Sequence, residues 1–209
     1  MLPYFPTPYP DETFFSLISR YQMFSGNQTF KYTKEDLFGI NIRKVNPELP
    51  SSIKSFMDNA GLSITIEDFI NNHTAYQYYS SFKLKESNEI FENMVDGKAH
   101  KALSSAGVNL GAIKSEKEFK HCEDCIKEDI EKFGETYWHR IHQIPGVLVC
   151  PNHNKVLIKS DKQRNEKVSD YEYILPRANE IGMFDNPIKV KLDTQSEKIL
   201  RRISIESQK

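Results

Sequence analysis

The sequence predicts a mainly α-helical protein: a helical bundle with a helix-turn-helix-like N-terminal unit, then a small module of paired turns with a short β-hairpin. Three observations predict it. Apolar residues recur at three- and four-residue spacing in short runs. Glycines and Thr-x-x-Asp pairs punctuate those runs as helix ends would. All three cysteines fall in one pattern of paired turns, between residues 122 and 153.

Composition sets the limits. The 209 residues leave room for one domain of ordinary size or two small ones. A hydrophobic content of 38 % is enough to bury a core, which excludes wholesale disorder. Nine glycines and ten prolines exclude a collagen-like or mucin-like chain. No apolar run approaches the ~18 residues of a membrane span, and the start, MLPYFPTPYPDE, lacks the basic residues and apolar stretch of a signal peptide. A soluble, intracellular, cytoplasmic protein is expected, with no membrane partner and no small-molecule substrate. A net charge of −1 excludes coating of nucleic acid by bulk charge but leaves room for a local basic face.

The elements follow in order. Pro3, Pro6, Pro8 and Pro10 disfavour helix before them, so the first residues are extended. Tyr4, Phe5 and Tyr9 on this arm either dock on a partner or fold back on the bundle. Pro10 suits a first helical turn, with Asp11 and Glu12 near its dipole. Phe14, Leu17, Ile18, Tyr21 and Phe24 share one face, and Gly26 with Asn27 stops the helix. Arg20 lies off that face, a candidate to pair with Asp11 or Glu12 or to touch phosphate. Thr33 with Asp36 reads as a cap before Leu37 and Phe38. Ile53, Phe56 and Met57 line a second piece ended by Gly61. Thr65 with Asp68 caps a third, carrying Ile66, Phe69 and Ile70. Helices this short are stable only when packed on each other, hence the bundle or helix-turn-helix-like unit.

The aromatic stretch Tyr76, Tyr78, Tyr79 and Phe82 reads as core and bundle-edge packing rather than a base-stacking platform. One helix is expected from about Ser87 to Ser105, with Ile90, Phe91, Met94 and Val95 inside, and Gly107 and Gly111 flank a turn. The polar run from Ser160 to Asp170 reads as a loop, and Asp193 to Ser204 as a terminal helix with Ile199, Leu200 and Ile203. The expected organisation is a helical region over 1–110, a metal-binding module over 111–160, and an extension over 161–209. The chain stops without a clear domain end, as the front part of a longer protein would.

Cys122-x2-Cys125 is followed, after residues 126–149, by Cys150-x2-His153. Zinc takes four soft or borderline ligands in a tetrahedron, and a two-residue gap lets one tight turn place two of them. The intervening segment is longer than in most zinc ribbons; a helix from Glu123 to Phe133 accounts for it. Four protein ligands leave no open position, so the expected zinc is structural and activates no water. His121 lacks a matching spacing. His139 and His142 sit three apart, offering too few ligands for a second ion; hydrogen bonding inside the fold or a partner surface fits them better. His73 and His100 carry no case beyond packing or exposure.

Phosphate binding needs lysine and arginine. The candidate clusters are Arg43 and Lys44; Lys159, Lys162 and Arg164; and Lys189, Lys191, Lys198, Arg201 and Arg202. Arg140, beside Trp138, either pairs with a carboxylate such as Glu135 or touches phosphate.

Taken together, Pro8 to Glu12, Ser16, Arg20 and Tyr21, then Cys122 and Cys125, then Gly134, Glu135, Tyr137, Trp138, Arg140, His142 and Gln143, then Cys150 and His153, resemble the TniQ/TnsD family of transposon target-site selectors. The stretch from Ile70 to Phe82 also resembles that family, and the matched order covers about residues 3 to 158. The resemblance implies an adaptor without chemistry of its own. Such proteins recognise a DNA site or a guide-RNA effector complex, and recruit an AAA+ ATPase of the TnsC type that calls in the transposase. It also implies a helix-turn-helix-like unit beside zinc-binding elements. Members range from lengths near this one to much longer chains.

Two binding readings therefore stand. In the first the chain binds double-stranded target DNA or a DNA-targeting complex and recruits the ATPase. In the second it is a protein–protein zinc module, with the DNA reader in further C-terminal sequence. An enzyme with His139 or His142 as base is disfavoured by the closed ligand set and by the lack of a nucleophile elbow, P-loop or paired-carboxylate motif.

Overall fold

The computed structural model describes residues 2–39, 45–108, 118–163, 186–187 and 194–207. The chain divides into two units. Among the described residues the first is all helical: α1 (Phe14–Ser25), α2 (Phe30–Phe38), α3 (Ile53–Ala60), α4 (Ile66–His73), α5 (Tyr76–Phe82), α6 (Ser87–Val95) and α7 (Ala99–Ser105). The second carries β1 (Glu118–His121), α8 (Glu123–Phe133), α9 (Arg140–Gln143), β2 (Ile158–Gln163), β3 (Asn186–Pro187) and α10 (Thr194–Glu206). The architecture is mainly α with a small antiparallel sheet in the order β1–β2–β3. None of the described helices is long and apolar enough to cross a membrane.

The first unit is built around phenylalanines that the periodicity places on inner faces. Phe14 packs edge-on against Phe56 at 4.8 Å and Phe69 at 5.6 Å, joining α1 to α3 and α4. The N-terminal arm closes over this core. Phe5 stacks on Tyr21 at 5.3 Å and meets Phe56 edge-on at 5.4 Å, and the Leu2 amide donates to the Asn59 carbonyl. Tyr9 lies under the Arg20 guanidinium, 3.7 Å from its ring centroid, whereas Tyr4 is half exposed.

Glu12 and Arg20 form a buried ion pair at 2.9 Å. Glu12 also accepts from the Tyr9 amide, and Arg20 donates to the Thr7 carbonyl. This pairing corrects the expected start of α1. Asp11 is in a left-handed turn at φ 56°, Thr13 is the cap and accepts from the Ser16 amide, and the helix begins only at Phe14. The tertiary pair thus displaces the local preference for acids in a first turn.

Two further expectations are corrected. α2 begins at Phe30, so Thr33 is an interior, buried residue: Asn27 Nδ2 donates to it and to Asp36, which also accepts from Tyr21 OH. The helix expected over 87–105 is two helices, α6 and α7, broken at Gly97 in the left-handed region at φ 81°. A Cβ there would lie 2.7 Å from the Oγ of buried Ser52. Gly97→Ala is therefore expected to lower stability by about 1–2 kcal/mol for the backbone alone, and more for the contact, measured by chemical denaturation. The Thr65 cap on α4 is as expected, accepting from the Asp68 amide at 3.0 Å. Tyr79 is buried and bonded to Glu48, while Phe82 at the end of α5 is 66 % exposed.

In the second unit Phe119 of β1 stacks on Trp138 at 4.6 Å. Gln143 clamps the strand: its Oε1 accepts from the Lys120 amide and its Nε2 donates to the Lys120 carbonyl. The fully buried Lys120 ammonium donates to the carbonyls of Ile144 and Val147. β2 runs through Gln163, so the first residues of the polar run expected as a loop are strand; the rest of that run lies outside the described residues. α10 spans the expected terminal helix, and its buried Ser204 hydroxyl donates to the Val149 carbonyl.

Candidate metal centre

Two turns carry the centre. The first is the junction of β1 and α8, where Cys122 is the cap residue of α8 and Cys125 follows within its first turn. The second is a short hairpin over residues 148–157. Val149 pairs with Val156, the Cys150 amide donates to the Lys155 carbonyl, and Asn154 takes the left-handed position at φ 54°. This is the expected β-hairpin, and it holds Cys150 and His153 on one side of a tight loop.

Cys122, Cys125 and Cys150 are buried, His153 is partly exposed, and their ligand atoms all lie within 4.8 Å of one another, a group that could hold a metal ion. A tetrahedral ion with bonds of about 2.3 Å to sulfur and about 2.05 Å to nitrogen sets its ligands about 3.8 Å apart for two sulfurs and about 3.6 Å for sulfur and nitrogen. Here Cys125 Sγ and Cys150 Sγ are 3.6 Å apart. His153 Nδ1 lies 3.6, 3.3 and 3.7 Å from the sulfurs of Cys122, Cys125 and Cys150. The donor set and its spacing fit a tetrahedral ion.

Electrostatics prepares the cluster for a cation. Hydrogen bonds from the Cys125 and Cys150 thiols, aided by the amides of Cys125 and Asp124, hold the Cys122 thiol far below its ordinary range. The same bonds to Cys122 push Cys125 up, and push Cys150 up to about 11. A divalent ion replaces those protons and lets all three sulfurs carry charge. Burial is the largest single influence on His153 and opposes its protonation, but the Glu128 carboxylate, 2.9 Å from Nε2, and the Cys122 sulfur together outweigh it and raise the imidazole pKa. That contact puts a hydrogen on Nε2 and leaves Nδ1 facing the sulfurs, as a metal-binding histidine requires. Glu128 was not singled out from sequence. Its position one helical turn beyond Cys125 was the available signal.

Among the described residues the other histidines do not form a second cluster. His139 caps α9 in an extended conformation, 2.9 Å from Asp129 and stacked on Tyr137. His142 is fully buried, and desolvation pushes it well below the ordinary histidine range. Its Nε2 lies 3.8 Å from Cys125 Sγ.

Arg140 is 7 % exposed in the interior of the second unit. Lys159 on β2 lies 3.6 Å from Glu118. Arg201 and Arg202 are exposed on α10 with Lys198. Arg43, Lys44, Arg164, Lys189 and Lys191, and the side chain of Lys162, lie outside the described residues. Of the arm residues proposed for partner contact, Phe5 and Tyr9 are engaged within the first unit and Tyr4 faces outward. α3 and α4 are eight-residue helices joined by residues 61–65; α4 has no lysine or arginine and exposes Glu67, Asp68 and Asn72.

The chain is 27 % identical over 160 residues to the Tn7 transposition protein TnsD of Escherichia coli, an alignment that covers 73 % of this chain and 31 % of that protein. The chain thus spans about a third of that relative's length. The family model described as TniQ matches residues 3–157, well over half of the chain and all four members of the cluster. The chain belongs to the TniQ family.

Proposed function

We propose that this chain is a zinc-stabilised adaptor that selects a target for transposition. It engages double-stranded target DNA, or a guide-RNA effector complex already on DNA, and recruits an AAA+ ATPase of the TnsC type; it performs no chemistry itself. The observation that carries this reading is the family match, whose span takes in both the helical unit and the Cys3His cluster. Zinc is the ion the donor set favours: three thiolates and one imidazole suit a tetrahedral, redox-silent cation. Cys122, Cys125, Cys150 and His153 would hold it, with no position left for water. The bound ion supplies folding energy.

The proposed DNA contacts are Arg201 and Arg202 on α10, with Lys159, Lys162 and Arg164 on and after β2, Arg43 and Lys44, and Arg140 as a support for the module. The test is fluorescence anisotropy with duplex DNA across a salt series. Binding is expected to weaken steeply with salt, and changing both Arg201 and Arg202 to Glu is expected to lower the log–log slope by about 2. A slope unchanged by those substitutions would remove α10 from the interface.

A second reading, a protein–protein module with no DNA contact of its own, is favoured by specific placements. Arg140 is buried, Lys159 faces a carboxylate, and the outward side of α4 is acidic, which repels phosphate. On that reading no binding occurs even at low salt, and the Arg201 and Arg202 substitutions leave ATPase recruitment intact in a pull-down.

A further inference from the structure

We propose that His142 is a positioning residue for the metal centre: its Nε2–H donates to the Cys125 thiolate and, with other donors, stabilises a buried cluster of net negative charge. The proposal rests on the metal reading above. Three thiolates and a neutral imidazole around a divalent cation carry a net charge of −1, and a buried anion needs hydrogen-bond donors. Two of the thiolates receive them from the backbone: Cys122 from the amides of Asp124 and Cys125, and Cys150 from the amide of His153. For Cys125 the donor is an imidazole. His142 Nε2 lies 3.8 Å from Cys125 Sγ, and both residues are buried.

The tautomer follows from the surroundings. His142 Nδ1 has no hydrogen-bond partner among the described residues. A hydrogen there would be a buried donor without an acceptor, and it would leave the Nε2 lone pair facing a thiolate. Nδ1 is unpartnered in either tautomer, so the choice rests on Nε2: a hydrogen there faces the thiolate as a donor and removes the lone-pair repulsion. The ring is held in place from behind: α9 carries it, and the His139 imidazole, itself bound to Asp129, packs against it at 5.0 Å. His142 thereby lowers the nucleophilicity and basicity of one ligand sulfur without joining the coordination sphere.

The test uses the whole chain loaded with Co(II), whose thiolate-to-metal charge-transfer bands report sulfur donor strength, and with zinc. His142→Phe keeps an aromatic ring and removes the donor. It is expected to shift the charge-transfer bands to lower energy and to speed metal transfer to a chelator by on the order of tenfold. His142→Gln, whose amide N–H reaches to a similar place, is expected to restore both towards wild type. If His142 only fills space, Gln fares no better than Phe, and the proposal is overturned; bands in His142→Phe that coincide with wild type overturn it as well. Should His142→Phe not fold, nitrogen-15 NMR of the zinc-loaded wild type decides. A hydrogen on Nε2 supports the proposal, and a hydrogen on Nδ1 overturns it. A wild-type chain that takes up neither cobalt nor zinc overturns the metal reading itself, and with it this proposal, before any substitution is made.

Discussion

Cys150→Ser is expected to abolish metal binding and the fold of the second unit in one step. Cys150 supplies one sulfur of the cluster and anchors the hairpin that carries His153, so its loss removes a ligand and misplaces a second. Structural zinc sites contribute about 10–16 kcal/mol of apparent binding free energy. That matches or exceeds the whole stability of an ordinary domain, about 5–15 kcal/mol. A unit this small, with a three-stranded sheet whose third strand has two residues, has no comparable reserve. Trp138, the only tryptophan of the chain, is a direct reporter, because it is buried against Phe119. In Cys150→Ser the metal content should fall from about one ion per chain to none, and Trp138 emission should move to the red. Chelation of the wild type should produce the same change. The first unit has its own aromatic core and should keep its helical signal. A Cys150→Ser protein that is metal-free yet retains buried tryptophan emission and a cooperative melt would refute the structural role of the ion.

The parts of this fold that local chemistry decides were legible in the sequence. The cluster is one: its spacing is fixed by two tight turns, and α8, capped by Cys122, begins at Glu123 because the pattern there is local. The Thr65 cap and the glycine stops at Gly26 and Gly61 are others, since each is settled within a few residues. What stayed hidden depends on partners distant in sequence. Thr33 resembled a cap until Asn27 claimed its hydroxyl. Gly97 falls inside the single helix expected over 87–105, but it takes a left-handed turn beside Ser52, far along the chain. Glu128 and His142, which contact His153 and Cys125 from outside the four-residue cluster, could not be tied to it by ligand-type spacing. Lys120 was invisible for a related reason: a lysine on a short strand reads as solvated, and the carbonyls of Ile144 and Val147, brought over by α9 and the turn after it, help make its burial tenable.

The same dependence on distant partners makes the Glu12–Arg20 pair the largest point of vulnerability in the first unit. Glu12→Ala leaves the Arg20 guanidinium buried without its carboxylate and should destabilise the protein by about 3–5 kcal/mol. The conservative variant gives a sharper result. Burial raises the Glu12 carboxyl from 4.5 to about 7, against the pull of Arg20 and the Tyr9 amide. The folded state therefore holds this proton more tightly than the unfolded state does. Its contribution to stability is fully present below pH 4.5 and is lost as pH rises through 7, a change of about 3 kcal/mol from the size of the shift. A metal-loaded Cys3His cluster would respond in the opposite sense, because acid protonates the thiolates and releases the ion. The two effects separate by subtraction. Glu12→Gln retains an acceptor for Arg20 and the Tyr9 amide but cannot ionise. Chemical denaturation of both proteins from pH 4.5 to 8, with metal held constant, should show a stability difference that moves in favour of Glu12→Gln as pH rises. A difference that stays flat across that window would mean that Glu12 is ionised throughout, with Arg20 and the backbone donors fully offsetting its burial.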